Sequence, residues 1–299
     1  MTVQILLTGG GGQVAWEIER RAAAARLSVR AFTRADLDIT DNPAVQRVVA
    51  AAAPEVVINA AAYTAVDKAE SDKDRAFAVN RDGPAHLAAV CATRDIPLVH
   101  ISTDYVFDGA GADPYIEDDA TAPLGVYGES KLAGEAAIRG FIDRHVIVRT
   151  AWVYGVHGHN FVKTMLRLGR ERDVLRVVDD QRGSPTFAGD LADALLTLSR
   201  RLLGESLPEE AYGTFHYAGG GEVTWYGFAK RIFEIAAPHL GRRPKVEPIT
   251  TAEYPTPARR PANSVLDCSK IAQVHGIIQR PWDTALQEML AQTLALAPR

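Results

Sequence analysis

Short runs of apolar and β-branched residues recur along the first half of the chain, separated by alanine-rich stretches with helical spacing. The runs predict strands and the stretches predict helices. The predicted strands are 4–8, 28–33, 55–59, 97–102 and 145–149. The predicted helices are 14–26, 44–53, 76–93 and 127–142. Because strands and helices alternate, we expect a parallel sheet with helices on both faces, an α/β doubly wound fold.

The pattern becomes less regular after about residue 150. It predicts a strand at 174–178, a helix at 187–203 and a strand at 214–218 that returns to the sheet. The remaining segments, including 225–240, the proline-rich 254–261 and 281–296, are left for a smaller, mixed C-terminal lobe. We therefore expect a Rossmann-type domain from residues 1–150 with about 179–219. A substrate lobe is expected from about 151–178 with 220–299.

Composition excludes several classes of protein. The 299 residues are 47% apolar and 23% charged, which is typical of a folded globular protein. A net charge of −4 gives no footprint for nucleic acid or an anionic membrane, and no run of 18 apolar residues predicts a membrane span. Cys91 and Cys268 stand far apart, so neither a disulfide framework nor a zinc site is indicated. We expect a cytoplasmic location.

Four glycines follow the first predicted strand and open the next helix. They fit two dinucleotide fingerprints, Gly10-x-Gly12-x-x-Ala15 and Gly9-x-x-Gly12-x-x-Ala15. In either register the backbone can approach a diphosphate, and the helix N-terminus attracts its charge. No Gly-Lys-Ser/Thr follows, so a nucleotide-triphosphate loop is excluded. The predicted ligand is a dinucleotide.

The end of the second predicted strand bears on the choice of dinucleotide. Arg34 occupies the first exposed position there, and the carboxylates of Asp36 and Asp38 come later. A basic residue at this point accepts a 2′-phosphate, whereas an acidic one binds the ribose hydroxyls. The sequence therefore favours NADPH, with NADH as the alternative.

Tyr127 and Lys131 are four residues apart on a predicted helix and share one face. A free phenol has a pKa of about 10, so lowering it to neutrality requires roughly 4 kcal/mol of stabilisation of the anion. A neighbouring cation can supply part of this. Thr103, at the end of the fourth predicted strand, can hydrogen-bond a carbonyl oxygen that Tyr127 protonates while hydride reaches the carbon. A cap at the strand end is the alternative role for Thr103.

Together these motifs resemble the extended short-chain dehydrogenase/reductase family. The matching features are the glycine turn, Asn59-Ala60-Ala61-Ala62 after the third strand, the hydroxyls after the fourth and Tyr127-x-x-x-Lys131. Longer segments at 59–70, 102–107, 126–128, 149–154 and 254–264 are similar to the dTDP-4-dehydrorhamnose reductase branch of that family. This resemblance implies reduction of a 4-keto dTDP-sugar to dTDP-L-rhamnose.

The resemblance also implies roles for individual residues. Thr103, Tyr127 and Lys131 would be the catalytic set, with Lys131 also holding the nicotinamide ribose. The residues implied at the cofactor, besides Gly9 and Arg34 above, are Gly12, Gln13, Val14, Asp38, Ile39, Ala62, Tyr63 and Thr64. Thr103, Asp104, Tyr127 and Trp152 would contact the substrate, and Val66 would pack against the sugar.

Five further side chains are interpreted from their chemistry. Trp152 follows a strand and can stack on a sugar, with a place in the core as the alternative. Arg259 or Arg260 can neutralise a diphosphate from the small lobe, and we select Arg260. His157 and His159 lack a third ligand and are interpreted as polar loop residues.

Two positions depart from the family pattern. Ala15 stands where the family usually has glycine. Some members form a magnesium-bridged dimer through three glutamates, and the matching positions here are Glu17, Asp190 and Gln292. One charge is missing, so we predict no metal, and the chain is expected as a monomer or homodimer.

Related activities remain as alternatives. Another nucleotide-sugar ketoreductase or an epimerase shares the fold and the Tyr-Lys pair. A dehydratase is disfavoured because Tyr105, not Glu, follows Asp104. A regulatory subunit of methionine adenosyltransferase also resembles this family, but it would tolerate loss of Thr103, Tyr127 and Lys131, all of which are present.

Overall fold

The computed structural model describes residues 3–204 and 207–295. In this part of the chain the strands are β1 (Ile5–Thr8), β2 (Val29–Phe32), β3 (Val56–Asn59), β4 (Leu98–Thr103), β5 (His145–Thr150), β6 (Val153–Tyr154), β7 (Val174–Val178), β8 (Arg182–Gly183), β9 (Thr186–Phe187), β10 (Gly213–His216), β11 (Val223–Thr224), β12 (Lys245–Ile249) and β13 (Asn263–Ser264). The helices are α1 (Gln13–Ala22), α2 (Asn42–Ala52), α3 (Val66–Ala69), α4 (Lys73–Phe77), α5 (Gly83–Thr93), α6 (Val126–Phe141), α7 (Phe161–Glu171), α8 (Ala188–Leu202), α9 (Trp225–Leu240), α10 (Ser269–His275) and α11 (Trp282–Ala295).

The main sheet has six parallel strands in the order β10-β5-β4-β3-β1-β2. Its central strands are continuous apolar runs because both faces are covered. In β1, Ile5 and Leu7 point into a core formed with α1 and α8, whereas Leu6 points into a second core formed with α2 and α5. The doubly wound Rossmann-type fold is confirmed.

All six strands run in one direction, so their carboxyl ends form one edge of the sheet. The glycine turn follows β1, the 60–64 loop follows β3, and Thr103 ends β4. The chain order of the strands reverses beside β1, and such a switch point opens a crevice at the carboxyl edge. The predicted site residues are thereby brought to one place.

The smaller lobe has its own apolar core. This core is formed by α7, α9 and α11, with the buried side chains of Phe228, Phe233 and Met289 at its centre. The predicted strand at 174–178 is present as β7 and pairs in parallel with β12, while β11, β8 and β13 form a three-stranded mixed sheet. The segment 281–296, assigned to this lobe without a predicted element, contains α11, with residue 296 outside the described residues.

One predicted helix is interrupted. The segment 76–93 is not a single helix, because a π-helical turn at Ala78–Asp82 separates α4 from α5. The wider turn buries Asn80, whose side chain bonds the backbone of Tyr63 on both sides and donates to Ser130 of α6. The interruption therefore fixes the 60–64 loop against α6.

No helix among the described residues is long and apolar enough to cross a membrane.

Candidate active site

A cleft of about 1030 Å³ lies at the carboxyl edge of the sheet. The glycine turn and the 60–64 loop line one end, and the end of β4 with the start of α6 lines the middle. Trp152 and Trp225 line it from the side of the smaller lobe. A cleft of this length and mixed lining suits an extended ligand.

The glycine turn is shaped for close approach. Gly9 has φ of +77°, and a Cβ there would lie 2.6 Å from the backbone of Ala60 and Ala61. Gly11 has φ of +86° and open space where its Cβ would be. No side chain caps α1 at Gly12, so the first N–H groups of the helix face the cleft. This arrangement suits a diphosphate.

Arg34 and Asp38 meet at the far end of the cleft. The Arg34 side chain is 71% exposed, and its Nε lies 3.3 Å from Asp38 Oδ2. Arg75, on α4, also reaches Asp38, at 3.7 Å. Two guanidinium groups therefore flank one carboxylate where the adenosine ribose of a dinucleotide would end. Arg75 was not predicted, because only the fold brings α4 to this point.

Thr103 and Asp104 lie buried at the end of β4. Thr103 Oγ1 donates to Asp104 Oδ1 at 2.9 Å and accepts from the backbone N–H of Tyr105 at 3.2 Å, so Thr103 does cap the following turn. Asp104 Oδ2 is buried and has no hydrogen-bond partner in the structure. Burial raises the pKa of Asp104 to about 7, against the opposing hydrogen bonds from Thr103 and Ser264.

Tyr127 packs edge-on against Tyr105, with ring centroids 5.4 Å apart. Burial raises the pKa of the Tyr127 phenol, the hydrogen bond with Thr103 lowers it, and the charge of Asp104 raises it further. The side chain is therefore held as a neutral phenol, which is the form that can give a proton. The expected effect of Lys131 on this pKa is not among its main causes.

Lys131 is 2% exposed and is anchored to β4. Its Nζ donates to the carbonyl oxygen of Ile101 at 2.6 Å and lies 3.2 Å from His100 Nε2. Burial lowers the pKa of Lys131 to about 8, opposed by the charge of Glu135. The lysine thus sits close to the boundary between its charged and neutral forms.

Trp152 is held in a strained conformation between β5 and β6. Its φ is +47°, a region that a bulky side chain rarely adopts. Its Nε1 donates to Ser264 Oγ at 3.1 Å, and its ring stacks on Trp225 with centroids 3.5 Å apart and planes 7° from parallel. Trp225 was not predicted for the site. The strain is consistent with a functional position for Trp152.

Arg260 does not line the cleft described above, although it lies nearby. Its guanidinium pairs with Asp67 of α3 at 2.9 Å, and it hydrogen-bonds Tyr105. Arg259 is exposed. Of the two predicted arginines, Arg260 is the one that connects the 254–262 loop to the Rossmann side of the cleft.

Comparison with known proteins agrees with this geometry. Residues 3–295 match the family model described as the RmlD substrate binding domain. A dTDP-4-dehydrorhamnose reductase from Sinorhizobium fredii is 46% identical over 96% of this chain and 97% of its own length. The chain belongs to the dTDP-4-dehydrorhamnose reductase family.

Two solved structures named as members of this reductase family superpose on nearly the whole chain. The enzyme from Clostridium acetobutylicum has a TM-score of 0.90 and 42% identity, covering 97% of this chain and 99% of its own. The enzyme from Bacillus anthracis, solved in complex with NADP, has a TM-score of 0.90 and 36% identity, covering 98% and 100%. The similarity therefore extends over both lobes.

Glu17, Asp190 and Gln292 match the metal-bridging glutamates of some family members. In this structure each of these side chains contacts an arginine. Glu17 is buried and accepts from Arg20 at 2.9 Å and Arg21 at 3.0 Å. Asp190 pairs with Arg280 at 2.7 Å, and Gln292 lies 3.5 Å from Arg20. Among the residues that the structure describes, no group of three or more His, Cys, Asp or Glu side chains is placed to hold a metal ion. The carboxylates of Glu17 and Asp190 are thus each paired with arginine, while Glu17 Oε1 is buried without a hydrogen-bond partner in the structure.

The cleft brings together nearly all the residues predicted for this reductase site. Those on its lining are Gly9, Gly12, Gln13, Val14, Arg34, Asp38, Ile39, Ala62, Tyr63, Thr64, Val66, Thr103, Asp104, Tyr127, Lys131 and Trp152. The lining residues that sequence reasoning missed include Leu37, Lys68, Asp72, Arg75 and Trp225. No motif in the neighbouring sequence identifies these residues as part of a site. Their place at the cleft depends on how the helices and lobes pack.

Proposed function

We propose that this protein reduces the C4 keto group of dTDP-4-dehydro-β-L-rhamnose with NADPH to give dTDP-L-rhamnose. The observation that carries the proposal is the convergence of Thr103, Tyr127 and Lys131 on one cleft with an uncapped glycine turn. The full-length similarity to reductases of this name, one of them solved with NADP, supports it.

NADPH, when bound, supplies the hydride that the C4 carbon receives. The backbone N–H groups at the start of α1 would hold the diphosphate, and Arg34 with Arg75 would face the 2′-phosphate. Lys131 Nζ, fixed by the carbonyl of Ile101, presents its remaining hydrogens to the nicotinamide ribose and to Tyr127. These residues would hold the nicotinamide ribose on the side of the cleft that Thr103 and Tyr127 line.

Thr103 and Tyr127 act on the carbonyl oxygen. Thr103 turns its hydroxyl from Asp104 to the C4 oxygen, and the Tyr127 phenol gives that oxygen its proton as hydride arrives. The tyrosinate then takes a proton from solvent, which completes the balance of one hydride and one proton. Because burial keeps Tyr127 protonated before the reaction, the donor is ready at neutral pH.

The sugar nucleotide would lie between the lobes. Trp152 and Val66 pack against the deoxysugar, and Arg260 exchanges part of its contact with Asp67 for the diphosphate. We infer that residues 1–150 with 179–219 bind the cofactor, and that 151–178 with 220–299 supply the substrate lobe. The apolar core of α7, α9 and α11 supports this division, although Leu266, Ile271 and Ile277 pack into the core of the main sheet. A cytoplasmic location, and a monomer or homodimer, belong to the same proposal.

The test is incubation of the purified protein with enzymatically made dTDP-4-dehydro-L-rhamnose and NADPH. We expect one NADPH oxidised per dTDP-L-rhamnose formed, measured by absorbance and by NMR of the product. Absence of both changes would sink the reductase assignment. An epimerase would instead interconvert sugars without net loss of NADPH, and a dehydratase would release water.

A dehydratase is disfavoured by the side chain beside Asp104. Burial raises the pKa of Tyr105 to about 12, and the charge of Asp104 raises it further. At neutral pH Tyr105 is therefore a neutral phenol and cannot replace the glutamate base that a dehydratase needs. A panel of 4-keto sugar nucleotides with other bases defines the substrate range, scored by NADPH loss and product stereochemistry.

A further inference from the structure

A chain of four polar side chains runs through the sheet behind the cleft. Thr8, Asn59 and His100 are fully buried, and Lys131 is 2% exposed. Thr8 Oγ1 donates to Asn59 Oδ1 at 2.6 Å, Asn59 Nδ2 lies 2.9 Å from His100 Nδ1, and His100 Nε2 lies 3.2 Å from Lys131 Nζ. The chain links three adjacent strands to α6.

The orientation of Asn59 follows from its backbone neighbour. The N–H of Ala61 points at the Asn59 side chain from 3.1 Å, and a backbone N–H can only donate. The atom facing Ala61 is therefore the amide oxygen. The Asn59 amide nitrogen then faces His100 and donates to its Nδ1, which must carry a lone pair.

The tautomer of His100 follows in turn. Burial and the charge of Lys131 lower its pKa well below the usual range, so the ring is neutral and carries one hydrogen. Because Nδ1 accepts from Asn59, that hydrogen is on Nε2, where it points at Lys131 Nζ. A neutral amine can accept this hydrogen, whereas an ammonium can only oppose it.

Other groups around Lys131 favour or disfavour its charged form. Glu135, on the same helix, favours the ammonium, but its charge is shared with Arg149 of β5 and Arg139 of α6. Tyr127, one turn earlier on the same helix, is a neutral phenol and adds no charge. The groups that disfavour the ammonium are therefore burial and the Nε2–H of His100.

We propose that His100, fixed by Asn59 with its hydrogen on Nε2, is a positioning residue that opposes the charged form of Lys131 and so sets the pH above which the site loses that charge. Ala61 lies in the loop that lines the cofactor end of the cleft, so the network ties the position of that loop to the charge of the lysine. The structural part of this proposal does not depend on the sugar; only its activity readout rests on the proposed function.

The tautomer can be measured directly on the full chain. A long-range ¹H–¹⁵N correlation spectrum of histidine-labelled protein, without and with NADPH, separates protonated from unprotonated ring nitrogens. We expect His100 to show hydrogen on Nε2 and a lone pair on Nδ1. Hydrogen on Nδ1 in the unmodified protein would overturn the proposal, whatever the enzyme reduces.

The charge of Lys131 is measured in the same protein. The chain has seven lysines, so ¹³Cε-lysine labelling gives a resolvable set of signals, and the Lys131 signal is the one missing from Lys131→Arg. In His100→Gln the amide oxygen can turn to the lysine and accept from it, so we expect the pKa of Lys131 to rise by about one pH unit. His145→Gln, another buried histidine on a neighbouring strand, is the matched control and should leave it unchanged.

A second variant reverses the tautomer without removing the ring. In Asn59→Asp the added oxygen accepts from Nδ1–H, which frees Nε2 to accept from the ammonium. The hydrogen should move to Nδ1, and the alkaline limb of kcat/KM should move up by about one pH unit. An alkaline limb and a Lys131 titration unchanged in both variants would reject the role of His100, even with reductase activity intact. Loss of turnover on every sugar, with the expected Nε2 tautomer, would reject the proposed function alone.

Discussion

Burial sets the protonation states at the centre of the cleft. It raises the pKa of Tyr127, lowers that of Lys131 to about 8 and raises that of Asp104 to about 7. Each group is moved toward its neutral form because low-dielectric surroundings disfavour charge. At neutral pH the site therefore holds a phenol ready to donate and two groups near their titration points.

Tyr127→Phe removes the proton donor while keeping the ring that packs against Tyr105. We expect kcat to fall by about a hundredfold or more, the usual worth of a positioned acid, with NADPH binding retained. Steady-state kinetics and a fluorescence titration with NADPH measure the two effects. A variant with normal turnover would remove Tyr127 from the mechanism.

Asp104→Asn should stabilise the protein at alkaline pH. The folded-state pKa is raised above the unfolded value, so the folded carboxyl binds its proton more tightly and stability falls as pH rises from about 4 to 7. Asparagine does not ionise, so the variant avoids that loss. We expect its free energy of unfolding at pH 8 to exceed that of the unmodified protein by on the order of 3 kcal/mol, and the difference to disappear toward pH 4. Urea unfolding at several pH values tests this. An unchanged difference across that range would contradict it.

Arg34→Ala should weaken NADPH more than NADH. The side chain is largely exposed, so we expect only about a tenfold rise in KM for NADPH, with little change for NADH. Arg47→Ala, an exposed arginine on α2, serves as the control. An equal rise in KM for both cofactors would show that Arg34 does not recognise the 2′-phosphate.

At the scale of elements, α6 carries Tyr127, the proposed proton donor, and lies unusually close to its neighbours. Gly128 and Gly134 face the backbone of Tyr105 and Asn80, with no room for a Cβ at either position. The buried pair of Glu135 with Arg149, at 2.8 Å, joins the same helix to β5. The close contacts at both glycines and the ion pair of Glu135 together fix the helix, and with it the reach of Tyr127 and Lys131.

Gly134→Ala tests that fit. A methyl group there collides with the carbonyl oxygen of Asn80, so we expect a loss of about 2 kcal/mol in the free energy of unfolding and reduced kcat. Gly140→Ala on the same helix meets nothing within 4 Å and should stabilise by up to about 1 kcal/mol. Urea denaturation measures the free energy of unfolding of both variants. Equal changes in the two would show that the contact with Asn80 does not determine the effect of Gly134→Ala.

The sequence predicted the features that depend on neighbouring residues and missed those that depend on contacts between distant parts of the chain. The central strands and the glycine turn were predictable because β1 and β3 are unbroken apolar runs and the glycines stand directly after a strand. The π-helical turn was missed because 76–93 has helical spacing throughout, while the burial of Asn80 depends on Tyr63 and Ser130. Arg75 and Trp225 were missed because their neighbours in space are distant in sequence.

At the scale of the whole molecule, two apolar cores lie on either side of the cleft, and polar contacts join the two parts of the chain beside it. Arg260 with Asp67 is one such contact, between the 254–262 loop and α3. His157 with the carbonyl of Gly11 is another, at 3.0 Å, and its ring stacks on Trp16. These two contacts connect segments on opposite sides of the cleft.

Arg260→Met should separate the two ligands of the cleft. It removes the charge that faces the sugar diphosphate, so we expect KM for the dTDP-sugar to rise by roughly tenfold or more while the Kd for NADPH stays the same. Arg259→Met, at the exposed neighbouring position, should change neither. Equal weakening of both ligands would instead indicate that Arg260 acts through the shape of the cleft.

The stacked pair of Trp152 and Trp225 also has an optical consequence. Two indoles held 3.5 Å apart and nearly parallel couple their electronic transitions, which gives a paired positive and negative band in circular dichroism. With four tryptophans in the chain and one such stack, Trp225→Phe should abolish the band pair. A sugar nucleotide that shifts Trp152 would change the signal without any label, so the protein carries its own reporter of substrate entry.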